Sequence, residues 1–200
     1  MSEQIVNTQK EMVDVGKLFQ RTWALFQSKP VEHLVAGVIV MGLSIVSLGL
    51  LAGPLSVGHI RMVEKQQRGE PPRIEDVFSG FSSFGAAFVT SLILFVAMFI
   101  GMLLLVLPGI FVGLAWGFAL WFVALEGASA SEALGRAWQL FKAHTLSVIV
   151  ICLLLAVINV VAGSVVLATL LTAPISLIFC TLAFQDMVGA TPQATDEPPL

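Results

Sequence analysis

Side chains that could carry chemistry are few in this 200-residue chain, and their spacing matches no catalytic motif. The histidines His33, His59 and His144 lie far apart in sequence. Cys152 and Cys180 lie in apolar segments, where cysteine usually acts as a small hydrophobic residue, and they form no metal-ligand spacing. Serine elbows, zinc-binding helices and phosphate-binding loops have recognisable signatures, and none is present. We therefore expect no enzyme activity, no metal and no cofactor.

A second class of candidates consists of polar side chains in or beside long apolar segments. Ionisable groups inside a membrane are costly and commonly functional. The candidate intramembrane polar residues are His59, Arg61, Glu126, Asn159 and Asp186. Arg61 is placed to pair with Glu64 along one helix face, and Glu126 and Asp186 are expected to reach the aqueous interface. Asn159 favours a hydrogen bond between helices over a contact with substrate.

Three stretches without Asp, Glu, Lys or Arg must position these groups, namely residues 33–60, 77–125 and 143–185. A crossing helix needs about 20 mostly apolar residues. The second and third stretches therefore each have the length for two crossings, and the first for one crossing and a short return. The chain is 57% apolar and 12% charged, against about 25% charged in soluble domains. This composition predicts an all-α, polytopic membrane helix bundle.

The ten Lys and Arg residues fall in three clusters, within residues 10–29, 61–73 and 136–142. Basic residues in short loops mark the cytoplasmic side of membrane helices. If all three clusters are cytoplasmic, each apolar stretch must leave and return. This predicts six crossings in three hairpins, with both termini cytoplasmic. Four crossings, with residues 53–67 at a shallower depth, is the competing count.

Each hairpin is predicted to consist of an amphipathic lead-in helix, a crossing, a turn marked by proline and a return. Pro54, Pro108 and Pro174 mark the turns, because proline suits the first turn of a helix; a kink within one long helix is the alternative. The lead-in helices are expected at residues 14–28, 74–82 and 129–143 of a single domain, 1–190. The crossings are expected at 31–52, 53–67, 84–107, 108–126, 145–169 and 171–187. The polar tail 191–200 is expected to be disordered.

The chain also repeats itself. Residues 21–26 (RTWALF) resemble residues 136–141 (RAWQLF), and residues 50–56 resemble residues 170–176. Agreement at two places in the same order predicts an internal duplication. Amphipathic helices with basic and aromatic residues lie at the headgroup layer, so the candidate interfacial or lipid-facing residues are Arg21, Trp23, Arg136 and Trp138. Packing of these helices on the bundle is favoured over a dedicated lipid-sensing role.

Gly109, Gly113 and Gly117 are spaced by four residues. This spacing predicts one helix face on which another helix packs closely. Packing within the bundle is favoured over dimerisation, and the oligomeric state stays open.

Several segments together resemble a known family. They are Gly53-Pro54-Leu55, Leu107-Pro108-Gly109 and the run from Glu126 to Leu134. They are similar to segments of poorly characterised bacterial multi-pass membrane proteins of the YciC type, and to the membrane domain fused to some glycerophosphodiester phosphodiesterases. The likeness covers most of residues 14–188. It implies a helical bundle in a bacterial cytoplasmic (inner) membrane and no phosphodiesterase activity for this chain.

These features favour a non-enzymatic integral membrane protein that organises lipids or partner proteins. The alternative is a small transporter or lipid-translocating protein, because internal repeats are typical of transporters. Intramembrane charges are scarce, which disfavours that alternative. Membrane lipids, and a membrane protein, are the expected partners. Nucleic-acid binding has no support, because the basic residues are spread along the membrane edges.

Overall fold

A computed structural model describes residues 13–104, 106–163 and 166–189, and this part of the chain is entirely helices, turns and short connections. Its elements in chain order are α1 (Val15–Ser28), α2 (Pro30–Val46), α3 (Ala52–Gln67), a 3-10 helix (Ile74–Ser83), α4 (Phe84–Leu104), α5 (Val106–Trp116), α6 (Ala119–Glu126), α7 (Ala130–Ala143), α8 (Thr145–Gly163) and α9 (Val166–Val188). The predicted tail, 191–200, lies outside the described residues.

Within the described ranges, three helices are long and apolar enough to span a membrane. They are Ile74–Leu104, Pro108–Glu126 and Leu171–Val188. The number rises to five if each of two bent pairs, α1 with α2 and α7 with α8, counts as one span. The predicted all-α class is confirmed, and three to five candidate spans agree with a membrane protein, whereas six crossings and the internal duplication stay predictions. The remaining predicted crossing is α3, which has 16 residues. At 1.5 Å per residue it is about 24 Å long, which is shorter than a hydrocarbon core of about 30 Å.

Large apolar side chains cover the outside of the spanning helices. Phe95 is 69% exposed, Leu103 77% and Leu153 64%. Such surface is unfavourable in water and is expected where a helix faces acyl chains. The core lies instead where α1, α3 and α9 meet, around buried Leu18, Ile60 and Phe184.

Helices α1 and α7 are amphipathic and end at sharp bends. The carboxylate of Asp14 caps α1 by accepting from the backbone N–H groups of Lys17 and Gly16, and these bonds hold the pKa of Asp14 below its usual range. Pro30 then begins α2, a position where proline loses no helical hydrogen bond, and the axis turns by 94°. Helix α7 bends into α8 by 100°.

The middle lead-in differs from this plan. The 3-10 helix continues into α4, and Ile74–Leu104 forms one helical unit of 31 residues. It was expected to be an amphipathic interfacial helix like the other two, but no comparable bend separates it from the crossing. The reason is local: Phe84 takes helical φ and ψ angles at the junction, and no proline interrupts the chain there.

Two of the three prolines lie in the first turn of a helix, as expected. Pro54 and Pro108 are each the third residue of a helix, α3 and α5. The placement of Pro174 at a turn is wrong, because α9 begins at Val166 and contains this proline. A Cβ atom on Gly37 of α2 would lie 3.3 Å from Pro174 Cδ. The proline ring therefore packs against α2 instead of starting a return helix.

The glycine prediction also needs correction. Gly109 and Gly113 lie in α5, but Gly117 follows the end of that helix at Trp116, in the break before α6. The close approach is inside the α4–α5 hairpin, where a Cβ on Gly101 would lie 2.7 Å from Gly109 Cα. A Cβ on Gly113 would meet only Met98, at an ordinary 3.7 Å.

Candidate functional site

The C-terminal ends of α3, α6 and α9 converge, and we call this part of the molecule the polar end. Gln67 of α3 and Gln185 of α9 exchange two side-chain hydrogen bonds, each 2.8 Å long. Arg61 of α3 donates from Nε to the carbonyl of Ala124 in α6 at 2.9 Å. The three helices that return from the apolar part of the bundle therefore end at one side.

Two ion pairs attach the outer lead-in helices to this end. Arg21 of α1 donates from Nη1 to both carboxylate oxygens of Asp186 in α9, at 2.9 Å. Arg136 of α7 pairs with Glu126, the last residue of α6. The structure thus joins four of the sequence candidates in two pairs, each of which connects an arginine of an outer lead-in helix to an acid near a helix end.

A third ion pair joins the end of α3 to the lead-in that follows it in the chain. Here the helix end carries the cation and the lead-in carries the acid. Lys65, near the end of α3, donates to both carboxylate oxygens of Asp76 in the 3-10 helix, at 3.0 and 2.9 Å. The three pairs connect α3 to the 3-10 helix, α6 to α7 and α9 to α1. The last pair closes the series, because it joins the last helix to the first. We call these contacts the ion-pair ring.

Arg61 uses most of its donors inside the protein. Besides its bond to Ala124, it donates from Nη1 to the Ser79 carbonyl at 2.9 Å and to Ser82 Oγ at 2.8 Å. Its Nη2 donates to Ser83 Oγ at 2.6 Å. The expected pairing of Arg61 with a carboxylate on its own helix is wrong, because the 3-10 helix and α6 supply nearer acceptors. Arg61 therefore connects three elements at the polar end.

The 3-10 helix has three distinct faces, because side chains three residues apart eclipse in this geometry. The polar face, turned to the basic residues of α3, consists of Asp76, Ser79 and Ser82. The buried face contains Val77 and Gly80. The outer face carries the exposed rings of Phe78, Phe81 and Phe84.

The buried face meets α3 backbone to backbone. A Cβ atom on Gly58 would overlap the carbonyl of Val77, and one on Gly80 would overlap the carbonyl of Pro54 and lie 2.6 Å from the Gly58 nitrogen. No side chain fits at either position without separating the two helices. Sequence reasoning missed this contact, since the two glycines lie on different elements and share no repeat spacing.

The phenylalanines of the outer face stack in series. Ring centroids of Phe78 and Phe81 are 6.3 Å apart, and those of Phe81 and Phe84 are 5.9 Å apart. Phe84 and Phe88 continue the series at 5.5 Å with nearly parallel rings. We call these four rings the phenylalanine ladder; it runs from the 3-10 helix onto α4.

Beside the ladder, a cleft of about 320 Å³ lies between α3, the polar face of the 3-10 helix and the end of α6. Both signs of charge line it: the cations are Arg61, Lys65 and Arg68, and the acids are Glu64 and Asp76. Glu64, which was expected to bind Arg61, instead pairs with Arg68 at 3.3 Å.

His59 lies in the interior, next to a second histidine. The side chains of His59 in α3 and His33 in α2 are fully buried, and His59 Nε2 lies 3.4 Å from His33 Nδ1. His33 Nε2 lies 2.6 Å from Gln66 Oε1, while Gln66 Nε2 donates to the Leu25 carbonyl and to Ser28 Oγ. Because the amide oxygen can only accept, His33 carries a proton on Nε2.

The remaining candidates lie apart from the polar cleft. Trp23 is exposed on α1, and Trp138 of α7 meets Phe111 of α5 edge to face at 5.9 Å. Asn159 of α8 donates to the Leu155 carbonyl at 2.8 Å and to Ser176 Oγ of α9 at 3.4 Å. Among the described residues, no group of three or more His, Cys, Asp or Glu side chains is placed to hold a metal ion.

These elements define an all-helical protein with three to five candidate membrane spans and with its charged cleft at one end. The chain belongs to the DUF7847 family, a domain of unknown function whose family model matches residues 13–197. No curated protein and no solved structure matches it. The resemblance to proteins of the YciC type stays a prediction from the sequence.

Proposed function

We propose that this protein is a non-enzymatic, multi-pass membrane protein that organises lipids or partner proteins at the headgroup layer of a bacterial cytoplasmic membrane. One observation carries the proposal: two amphipathic helices, α1 and α7, turn by 94° and 100° from the apolar helices that follow them, at the charged end of the bundle. A helix with that orientation beside a spanning helix lies along the membrane surface. Its aromatic and basic side chains then meet lipid headgroups.

The distribution of charge supports the orientation that we propose. Lys17 of α1 is 81% exposed at its side chain, and Arg68 beyond α3 is 51% exposed. Both lie at the polar end, whereas Leu48, in the turn between α2 and α3, is 92% exposed and belongs to the opposite, apolar end. Because basic residues remain in the cytoplasm, the polar end and both termini are assigned to that side.

The ion-pair ring supports the proposal of a duplicated, three-unit architecture with six crossings. Arg21 and Arg136, which align in the sequence repeat, each bind an acid near the end of a return helix. In this plan α3 is the shortest of the six crossings, and its last two turns carry Arg61, Glu64 and Lys65 at the headgroup layer.

A direct test is lipid retention by the purified full-length protein in mild detergent, measured by native mass spectrometry. We expect bound phospholipid in the unmodified protein and a clear loss on substitution of Trp23→Ala with Trp138→Ala. Phe95→Ala, which removes an exposed ring from α4 away from the polar end, is the matched control and retains the lipid. Equal losses in both variants, or no retained lipid, contradict the proposal.

A second candidate, a small transporter or lipid-translocating protein, is favoured by the buried hydrogen-bonded series of His59, His33 and Gln66. Buried polar groups that can exchange protons are typical of transport pathways. Reconstituted protein that moves a fluorescent lipid or a proton across liposomes, and loses that flux in His59→Leu with its fold intact, would favour transport over organisation.

A further inference from the structure

We propose that the cleft beside the 3-10 helix binds one phospholipid whose headgroup carries both a phosphate diester and an ammonium group. Its acyl chains would run down the membrane-facing surface next to the phenylalanine ladder. This inference rests on the proposed function and deepens it, because it names the site and the chemical class of the lipid.

The first argument is depth in the membrane. Helix α4 has 21 residues, about 31 Å at 1.5 Å per residue, which matches a hydrocarbon core of about 30 Å. The 3-10 helix of ten residues therefore extends beyond the hydrocarbon by about 20 Å, at 2.0 Å per residue. Asp76 and Ser79, which line the cleft, consequently lie at the depth of lipid headgroups.

The second argument is charge complementarity. Three cations and two acids line the cleft, and each acid already contacts one cation, Asp76 with Lys65 and Glu64 with Arg68. A zwitterionic headgroup places its phosphate against Lys65 and Arg68 and its ammonium against Glu64. Both signs of the lining are then matched by one ligand.

The third argument is that the cations keep donors for a ligand. The Lys65 ammonium has three N–H groups, and its described bonds all go to the Asp76 carboxylate. Four of the five Arg61 donors are engaged within the protein. Arg68 is half exposed and contacts Glu64 at 3.3 Å and Glu70 at 3.7 Å. Each cation can therefore bind a phosphate oxygen while its existing contacts persist.

The fourth argument is continuity with an apolar surface. The 3-10 helix carries the cleft on its polar face and the phenylalanine ladder on its outer face, 120° around the same axis at three residues per turn. The ladder reaches the hydrocarbon at Phe84, which begins α4 and is 40% exposed. A lipid held by its headgroup in the cleft thus has exposed aromatic rings beside its acyl chains, an arrangement that a soluble phosphate compound would not use.

The experiment uses the full-length protein in nanodiscs and compares lipids with phosphoethanolamine headgroups and lipids with phosphoglycerol headgroups. Binding is measured by native mass spectrometry after titration of each lipid. The cleft variants are Glu64→Gln, Arg68→Gln and Ser79→Phe, of which the last fills the cleft without removing a charge. The controls are Arg73→Gln and Glu75→Gln, which change exposed charges outside the cleft. Inorganic phosphate is added as a competitor.

We expect Glu64→Gln and Arg68→Gln to bind the phosphoethanolamine lipid about tenfold more weakly, as for loss of one charge-assisted contact. Ser79→Phe should bind it at least as weakly, because its ring occupies the space of the headgroup, while the controls bind as the unmodified protein does. Glu64→Gln should also lose the preference over the phosphoglycerol lipid. If lipid binds but the cleft variants do not weaken it, the site is wrong and the proposed function stands. If phosphate displaces the lipid and binds equally well alone, the cleft is a site for soluble anions. If no lipid is retained, both proposals fail.

Discussion

The middle lead-in and the two outer lead-ins are fixed to the bundle in different ways. Helices α1 and α7 are bent away from the apolar helices that follow, and an arginine on each reaches a carboxylate near a helix end. The 3-10 helix continues directly into α4 and packs on α3 through Gly58 and Gly80. It supplies the acid of its ion pair with α3, whereas the outer lead-ins supply the arginine. The outer lead-ins are thus held largely by side chains, and the middle one by its backbone.

This difference indicates where the structure is rigid. Backbone packing between α3 and the 3-10 helix leaves no space for adjustment, whereas ion pairs between long side chains tolerate small displacements. The cleft and the phenylalanine ladder both belong to the middle lead-in, so a ligand there would meet a preformed surface. Preorganised sites lose less conformational entropy on binding.

The largest loss of stability is expected from Gly58→Ala. The added methyl group would overlap the Val77 carbonyl, and overpacking of this kind costs about 3 kcal/mol when backbone must move. Thermal unfolding of the purified protein in detergent measures the loss. Gly85→Ala in α4 is the control, because a Cβ there meets nothing within 4 Å. Equal stability of the two variants would contradict backbone packing at Gly58.

An intermediate effect is expected from Asp76→Asn. The Asp76 side chain is 22% exposed, and it accepts from Lys65 and from the backbone N–H of Arg73 at 2.8 Å. Loss of its charge leaves Lys65 without a counter-charge, which should cost about 1.5–3 kcal/mol. The unfolding free energy, measured by titration with a denaturing detergent, checks this value. A variant as stable as the original would show that the middle ion pair is dispensable.

The smallest effect is expected from Glu126→Gln. This residue pairs with Arg136, whose side chain is 47% exposed, and exposed ion pairs contribute about 1 kcal/mol or less. The same titration at low and high salt distinguishes this ion pair from the Lys65–Asp76 pair, because salt screens the more exposed outer pair more than the partly buried middle pair. If Glu126→Gln lowered the unfolding free energy more than Asp76→Asn does, the outer ion pair would be the stronger one, which would contradict the proposed difference between the lead-ins.

The sequence predicts the parts of this fold that depend on local periodicity. Apolar stretches and amphipathic segments indicate the spans and lead-ins, because each pattern repeats within one helix. Contacts between distant residues are invisible to such patterns: Arg21 binds Asp186, and His33 lies against His59, across large separations. Glycine spacing likewise indicated a tight face in α5, while the backbone contact at Gly58 joins two different elements.

The middle lead-in shows a second limit. Phe78, Phe81 and Phe84 recur every three residues, a spacing that suits one face of an α-helix as well as a 3-10 helix. The choice of geometry therefore depends on tertiary contact, namely the close approach permitted by Gly58 and Gly80. The cleft follows from that choice, which is why Glu64, Lys65 and Arg68 were not recognised from the sequence as one site.

The most direct test of the whole account is the side of the membrane on which the polar end lies. Single cysteines would be introduced at Arg68, Arg136 and Leu48 after replacement of Cys152 and Cys180, and labelled with an impermeant maleimide. We expect the first two positions to react only in inverted membrane vesicles, and position 48 only from outside intact spheroplasts. Labelling of positions 68 and 136 from opposite sides, or of 48 and 68 from the same side, would contradict a single polar end.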